Sequence, residues 1–215
     1  MKKIKACIFD LDGVIVDTAK YHYVAWKRLA REMGFDLTEE ENEQLKGVSR
    51  MASLDILLKL GNKIMDEKSK LDLADRKNAW YREYIKSMQP GEIYPGAVEF
   101  IKKMKSMGYK LAIGSASKNA PTILEQLNII GLFDAVVDGN KISKAKPDPQ
   151  IFLMAAEELN TAPEYCVVFE DALAGVEAAL NAGMYCVGIG SPAIPGKAHL
   201  VVSGLHEMKP EMLNF

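Results

Sequence analysis

"CIFDLDGVIVDT", Cys7 to Thr18, is an apolar run broken by acids. Cys7-Ile8-Phe9 reads as a strand end buried on both faces, and Asp10 and Asp12 stand two residues apart at its close. A buried carboxylate is disfavoured unless something compensates its lost hydration. Two of them on one strand end point to a site. Gly13 permits a tight turn directly after, and Asp17-Thr18 reads as the start of the next helix.

Outward from this strand (about Ile4–Asp10) the pattern is helical for a long stretch. In Tyr21–Met33, residues His22, Ala25, Trp26, Leu29 and Met33 share one face, and Gly34 ends the helix. Thr38 with Glu41 forms a capping-box pattern, and Ser49 in "KGVSR" reads as a helix N-cap. A further helix spans about Asp66–Ser87. "PGEIYPGA" (90–97) then interrupts with two prolines and two glycines, and the period changes. Helices at 95–107, 120–127, from Asp148-Pro149, and at 172–182 alternate with strands at 110–116, 134–138, 165–171 and 185–190. Alternation of this kind predicts a parallel sheet covered by helices on both faces. The expected fold is therefore α/β: a Rossmann-like core of residues 1–15 and 89–215, with an all-helical cap of residues 16–88 inserted after strand 1.

The bulk properties agree with an ordinary globular chain. It has 215 residues, 48% of them hydrophobic and 26% charged, and a formal net charge of -2. That near-balance gives no electrostatic footprint for nucleic acid or an acidic membrane. Cys7, Cys166 and Cys186 each sit in a short apolar run without metal-ligand spacing, so they read as buried small hydrophobes in a reducing compartment. The start "MKKIKACIFDLDG" is basic, but acids arrive before a long apolar stretch forms. No secretory signal or membrane span is expected, and a cytoplasmic monomer is. There is no P-loop, no GxSxG elbow, and His22, His199 and His206 are too scattered for a zinc site.

Ligands of open α/β sheets bind at the carboxyl ends of the strands. Those ends carry Asp10 and Asp12, the run Ser115-Ala116-Ser117-Lys118-Asn119, and Glu170-Asp171. Lys146 lies in the loop after the strand at 134–138, with Lys144 as its alternative. Asp10, Glu170 and Asp171 would repel one another in a poorly solvated site. A hard cation such as Mg²⁺, which takes carboxylate and phosphate oxygens, removes that repulsion. A lysine ammonium and a serine hydroxyl suit a phosphoryl group. The set predicts phosphoryl transfer, where positioning and charge neutralisation supply most of the catalysis.

"FDLDGVIVDT", "IGSAS", "KPDPQIF" and "VFEDALAG" resemble, in order and spacing, the four motifs of the haloacid dehalogenase-like phosphotransferases. "AKYHYVAW", "NEQLKGVSRMASLDILL", "RKNAWY", "YPGAVEFIK" and "SASKNAPTILE" look like that family's sugar-phosphate mutases. The resemblance implies that Asp10 becomes an aspartyl phosphate and that Asp12 is the general acid and base. It implies Mg²⁺ on Asp10, the Asp12 carbonyl, Glu170 and Asp171, with Ser115 and Lys146 on the transferring phosphoryl group. The implied reaction converts β-glucose 1-phosphate to glucose 6-phosphate through β-glucose 1,6-bisphosphate, so a second phosphate needs a grip. Arg50 with Ala116, Ser117, Lys118 and Asn119 matches it. Lys46, Gly47, Val48 and Ser53 would contact the sugar or its phosphate, and Thr18 and His22 would couple cap closure to Asp12. The alternative is a hydrolase of small phosphate esters. One departure stands out: Ala172 follows Asp171 where many relatives carry serine, which removes a hydroxyl from beside the metal ligands.

Overall fold

The computed structural model describes residues 3–45, 48–190 and 197–214. Its contacts divide the chain into two compact units. One comprises Met1–Asp17 and Met88–Phe215, the other Thr18–Ser87.

The first unit is built on a six-stranded, all-parallel sheet. In chain order the strands are β1 (Ala6–Phe9), β2 (Lys110–Gly114), β3 (Ala135–Val137), β4 (Cys166–Glu170), β5 (Tyr185–Ile189) and β6 (Leu200–Val202), arranged β3-β2-β1-β4-β5-β6. The sequence pattern ends at the strand near 185–190. The sixth strand is a three-residue edge, too short and too exposed on one side to show a period. β1 is wholly buried, and its neighbours alternate between two layers. Ala6 and Ile8 pack with Phe152, Val168, Val176 and Ala179. Phe9 turns the other way, stacked on Phe169 with ring centroids 4.6 Å apart and edge-on to Phe100. Burial on both faces is why β1 reads as a continuous apolar run rather than an alternating one.

The helices of this unit are those the pattern predicts, within two residues at most ends. With the four helices of the insert counted first, they are α5 (Ala97–Ser106), α6 (Ala120–Gln126), α7 (Gln150–Glu158) and α8 (Leu173–Asn181). The three cysteines are buried and free, and burial pushes the Cys166 and Cys186 thiols up to about 12. They are packing residues.

The second unit holds α1 (Ala19–Glu32), α2 (Glu39–Asn42), α3 (Arg50–Leu60) and α4 (Glu67–Ile85). Thr38 and Glu41 close a capping box on α2, Ser49 Oγ caps α3 at the Ala52 N–H, and Asp66 caps α4 at Ser69. Trp26, Leu29, Leu37, Leu45, Leu54, Leu57 and Leu58 form its own core. Each buried leucine contributes about 1.5–3 kcal/mol relative to exposure. No helix among the described residues is long and apolar enough to cross a membrane.

Candidate active site

Strand order decides where the site lies. β1 is the strand at which the order reverses, with β2 on one side and β4 on the other. A crevice opens at the carboxyl end of such a strand. The ladder pairs Phe9 with Phe169 and with Ile113, so the next residues, Asp10, Glu170 and Gly114, emerge side by side. Asp10 donates its backbone N–H to the Phe169 carbonyl at 2.9 Å. Ser115, one residue beyond β2, is buried, and its Oγ accepts the Ser117 N–H at 3.2 Å.

Lys146 enters this cluster from the loop before α7. Its Nζ donates to Asp10 Oδ1 at 2.7 Å and to Glu170 Oε2 at 2.8 Å. Lys144 stays exposed and pairs with Asp148 at 3.4 Å, so Lys146 is the lysine at the strand ends. Burial opposes the Lys146 charge, yet Asp10 and Glu170 more than offset it and hold the ammonium above its ordinary range. Glu170 and Asp171 shift upward as well. Burial is the main cause for both, and neighbouring carboxylates add to it.

Carboxylate oxygens of Asp10, Glu170 and Asp171 lie within 4.8 Å of one another. Three hard oxygen donors at that spacing fit a small divalent cation, and such an ion would cancel the repulsion that raises Glu170 and Asp171. Two glycines allow the approach. A Cβ on Gly13, whose φ is +81°, would stand 2.0 Å from Asp171 Oδ2. A Cβ on Gly175 would stand 2.0 Å from Glu170 Cδ. At position 172 the Ala172 N–H donates to Glu170 Oε1 at 3.1 Å, so the backbone supports Glu170 where no side-chain hydroxyl is present.

Asp12 is half-buried in the loop after β1, where Asp12 and Val16 form an isolated bridge and Gly13 donates to the Val16 carbonyl. It is thus held on a turn, one step removed from the sheet that fixes Asp10. Tyr94, which the sequence reading did not single out as a site residue, borders the same acids. Burial first, then Asp17, Asp171 and Asp12, hold its phenol above the ordinary value. Ala116 and Lys118 are exposed, Ser117 is half-buried, and Asn119 is buried.

In the helical unit, Arg50 opens α3. It is half-buried and lies 3.7 Å from Asp75, and burial lowers its pKa despite that partner. Val48 is exposed. Ser53 is buried, and its Oγ donates to the Leu45 and Ser49 carbonyls at 3.1 and 3.2 Å. Lys46 and Gly47 lie outside the described residues. Thr18 is buried at the start of α1.

His22 has a neighbour that sequence reasoning missed. Lys77, 1% exposed, places Nζ 2.8 Å from His22 Nδ1, with the Trp26 ring at 4.4 Å and the Tyr81 ring at 5.0 Å. Burial and Arg50 lower Lys77 to about 7. Burial, then Lys77 and Arg50, keep His22 well below its ordinary value, so the imidazole is neutral and can accept the Lys77 proton donor. The signal was present. Ala74, Lys77, Tyr81 and Ile85 recur at helical spacing and are the buried face of α4.

A buried aspartate that pairs with a lysine and is one of three carboxylates spaced to hold a cation, at the switch point of a parallel sheet, fits a phosphotransferase-type centre. The profile of the haloacid dehalogenase-like hydrolases matches residues 4–183, and the chain belongs to that family. It is 41% identical to the β-phosphoglucomutase of Bacillus subtilis (strain 168), over 98% of this chain and 94% of that protein. It is 34% identical to a phosphorylated carbohydrates phosphatase of Thermotoga maritima, over 97% and 95%. Among solved structures, a β-phosphoglucomutase from Clostridium difficile superposes with a TM-score of 0.90 at 44% identity, covering 97% of this chain and 95% of that one.

Proposed function

We propose that the chain interconverts β-D-glucose 1-phosphate and glucose 6-phosphate through an aspartyl phosphate on Asp10 and β-glucose 1,6-bisphosphate. The full-length likeness to two β-phosphoglucomutases carries this choice. The Lys146–Asp10–Glu170 geometry supports the phosphoryl-transfer class independently.

In the first half-reaction, phosphorylated Asp10 gives its phosphoryl group to the sugar 6-hydroxyl. The Asp10–phosphorus bond breaks, the new oxygen–phosphorus bond forms, and Asp12 takes the hydroxyl proton. After the bisphosphate turns over, Asp10 attacks the phosphate at carbon 1. Asp12 returns the proton to the leaving sugar oxygen, and glucose 6-phosphate is released. Lys146 orients Asp10 by holding Oδ1 and neutralises charge on the transferring group, to which the Ser115 hydroxyl donates a hydrogen bond. Mg²⁺, held by Asp10, Glu170, Asp171 and the Asp12 carbonyl, would supply charge neutralisation at the phosphoryl oxygens.

The non-transferring phosphate is assigned to Arg50, Ser117, Lys118 and Asn119. A guanidinium can clamp such a group bidentately. Lys46, Gly47, Val48 and Ser53 are assigned to the sugar or its phosphate, and Thr18 and His22 to closure. The enzyme is proposed to act as a cytoplasmic monomer, in keeping with its three buried, free cysteines.

A phosphatase is the second reading, favoured by the 34% identity to a carbohydrate phosphatase. NMR of β-glucose 1-phosphate with Mg²⁺ and a bisphosphate primer separates the two. Glucose 6-phosphate without phosphate release is expected, whereas steady phosphate release without isomerisation establishes the hydrolase.

A further inference from the structure

The loop after β3 carries an arrangement that the reaction above leaves unused. Asp138 is buried at the end of that strand. Its Oδ1 accepts the Asn140 backbone N–H at 2.8 Å, and its Oδ2 accepts the Asn140 Nδ2 at 3.1 Å. Taken alone, this is a common turn in which an acidic side chain satisfies its own loop.

The Asn140 amide also reaches outside the turn. Nδ2 donates to the carbonyl of Lys118 at 3.1 Å, across 22 residues of sequence. The Gly139 N–H reaches the Ser117 carbonyl at 3.4 Å. Gly139 presses so closely that a Cβ there would stand 2.2 Å from the Ala116 carbonyl oxygen and 3.1 Å from Lys118 Cγ. Three successive residues, Ala116, Ser117 and Lys118, are therefore gripped on their carbonyl side by Gly139 and Asn140. On the amide side the same loop is held by Ser115 Oγ at Ser117 N–H and by Ser117 Oγ at Asn119 N–H.

We propose that Asn140 is a positioning residue for the non-transferring phosphate. By holding the Lys118 carbonyl it fixes the backbone that presents Ser117, Lys118 and Asn119 as one set of donors. A flexible lysine loses less freedom on binding when its backbone is already confined, and Asn140 and Gly139 hold the Lys118 and Ser117 carbonyls. The proposal rests on the assignment of Ser117–Asn119 to the second phosphate.

The test is Asn140→Ala, with Gly139→Ala as a second route that displaces the same loop by steric contact. The KM for the glucose 1,6-bisphosphate primer is expected to rise about fivefold, the worth of one hydrogen bond. Turnover at saturating primer, and the rate at which acetyl phosphate labels Asp10, should stay at wild-type values. An unchanged KM in both variants overturns the proposal, as does an equal fall in every rate together with a lower melting temperature, the sign of a merely structural role. Failure of the mutase reading shows separately, because wild-type protein would then release phosphate without isomerising its substrate. In that case calorimetry replaces kinetics. Affinity for glucose 1,6-bisphosphate should fall in Asn140→Ala while affinity for inorganic phosphate holds, and equal affinities in the two proteins sink the clasp.

Discussion

Gly13 and Gly175 set how closely the acids can gather. Alanine is favoured over glycine within a helix by about 1 kcal/mol, so Gly175→Ala in α8 would ordinarily stabilise. Here the added methyl would overlap the Glu170 carboxylate. Glu170 is a proposed metal ligand, and losing even an outer partner of such a ligand costs about 10–100-fold in affinity. Calorimetry should find Mg²⁺ binding weakened at least to that extent in Gly175→Ala. Unaltered affinity would show that Glu170 moves aside without loss. The sequence displays "EDALAG" but cannot display this contact, because the glycine and the carboxylate meet only when α8 folds back beside β4. Lys146 over Lys144 is a similar case: both precede a proline-rich helix start, and only the loop's path brings one of them to Asp10 and Glu170.

At the scale of the element, α4 has a lysine on its apolar face. Charging Lys77 there is opposed by burial and by Arg50, which bring its pKa to about 7 from its ordinary 10.5. The Trp26 and Tyr81 rings and the neutral His22 offset part of this. Between pH 7 and 10.5 the unfolded chain binds the proton that folded Lys77 gives up, so stability rises with pH across that window. Below it both states are charged, and the full penalty remains. Thermal unfolding from pH 7 to 9 should therefore show a rising midpoint in the wild type and a shallower rise in Lys77→Met. Parallel slopes would rule out Lys77 as the source. The apolar face of α1 and the caps of α2 and α3 were legible because they depend on residues three and four apart. The short edge strand β6 was not, since a three-residue strand offers no period to read.

At the scale of the whole molecule, the core unit holds Asp10, the proposed nucleophile, and the helical unit holds Arg50. Arg50→Ala should lower bisphosphate-dependent turnover, which requires a grip on two phosphates, well below the rate at which acetyl phosphate labels Asp10. Charge-assisted hydrogen bonds contribute about 1.5–3 kcal/mol each, enough for a loss of at least about tenfold. Equal loss in both assays would remove Arg50 from the second-phosphate site. By itself the sequence determined the α/β core, its helical insert and the chemistry of the strand ends. Apolar runs, caps and acids at the close of a strand are local properties, and a parallel sheet with short connections has few ways to order them. Only the tertiary structure decided that β1 is the switch strand, that Lys146 bridges Asp10 and Glu170, that Lys77 is buried against His22, and that Asn140 holds the Lys118 carbonyl. Those pairs stand 22 to 136 residues apart. Strand register and the packing of helices bring them together, and no spacing along the chain encodes either.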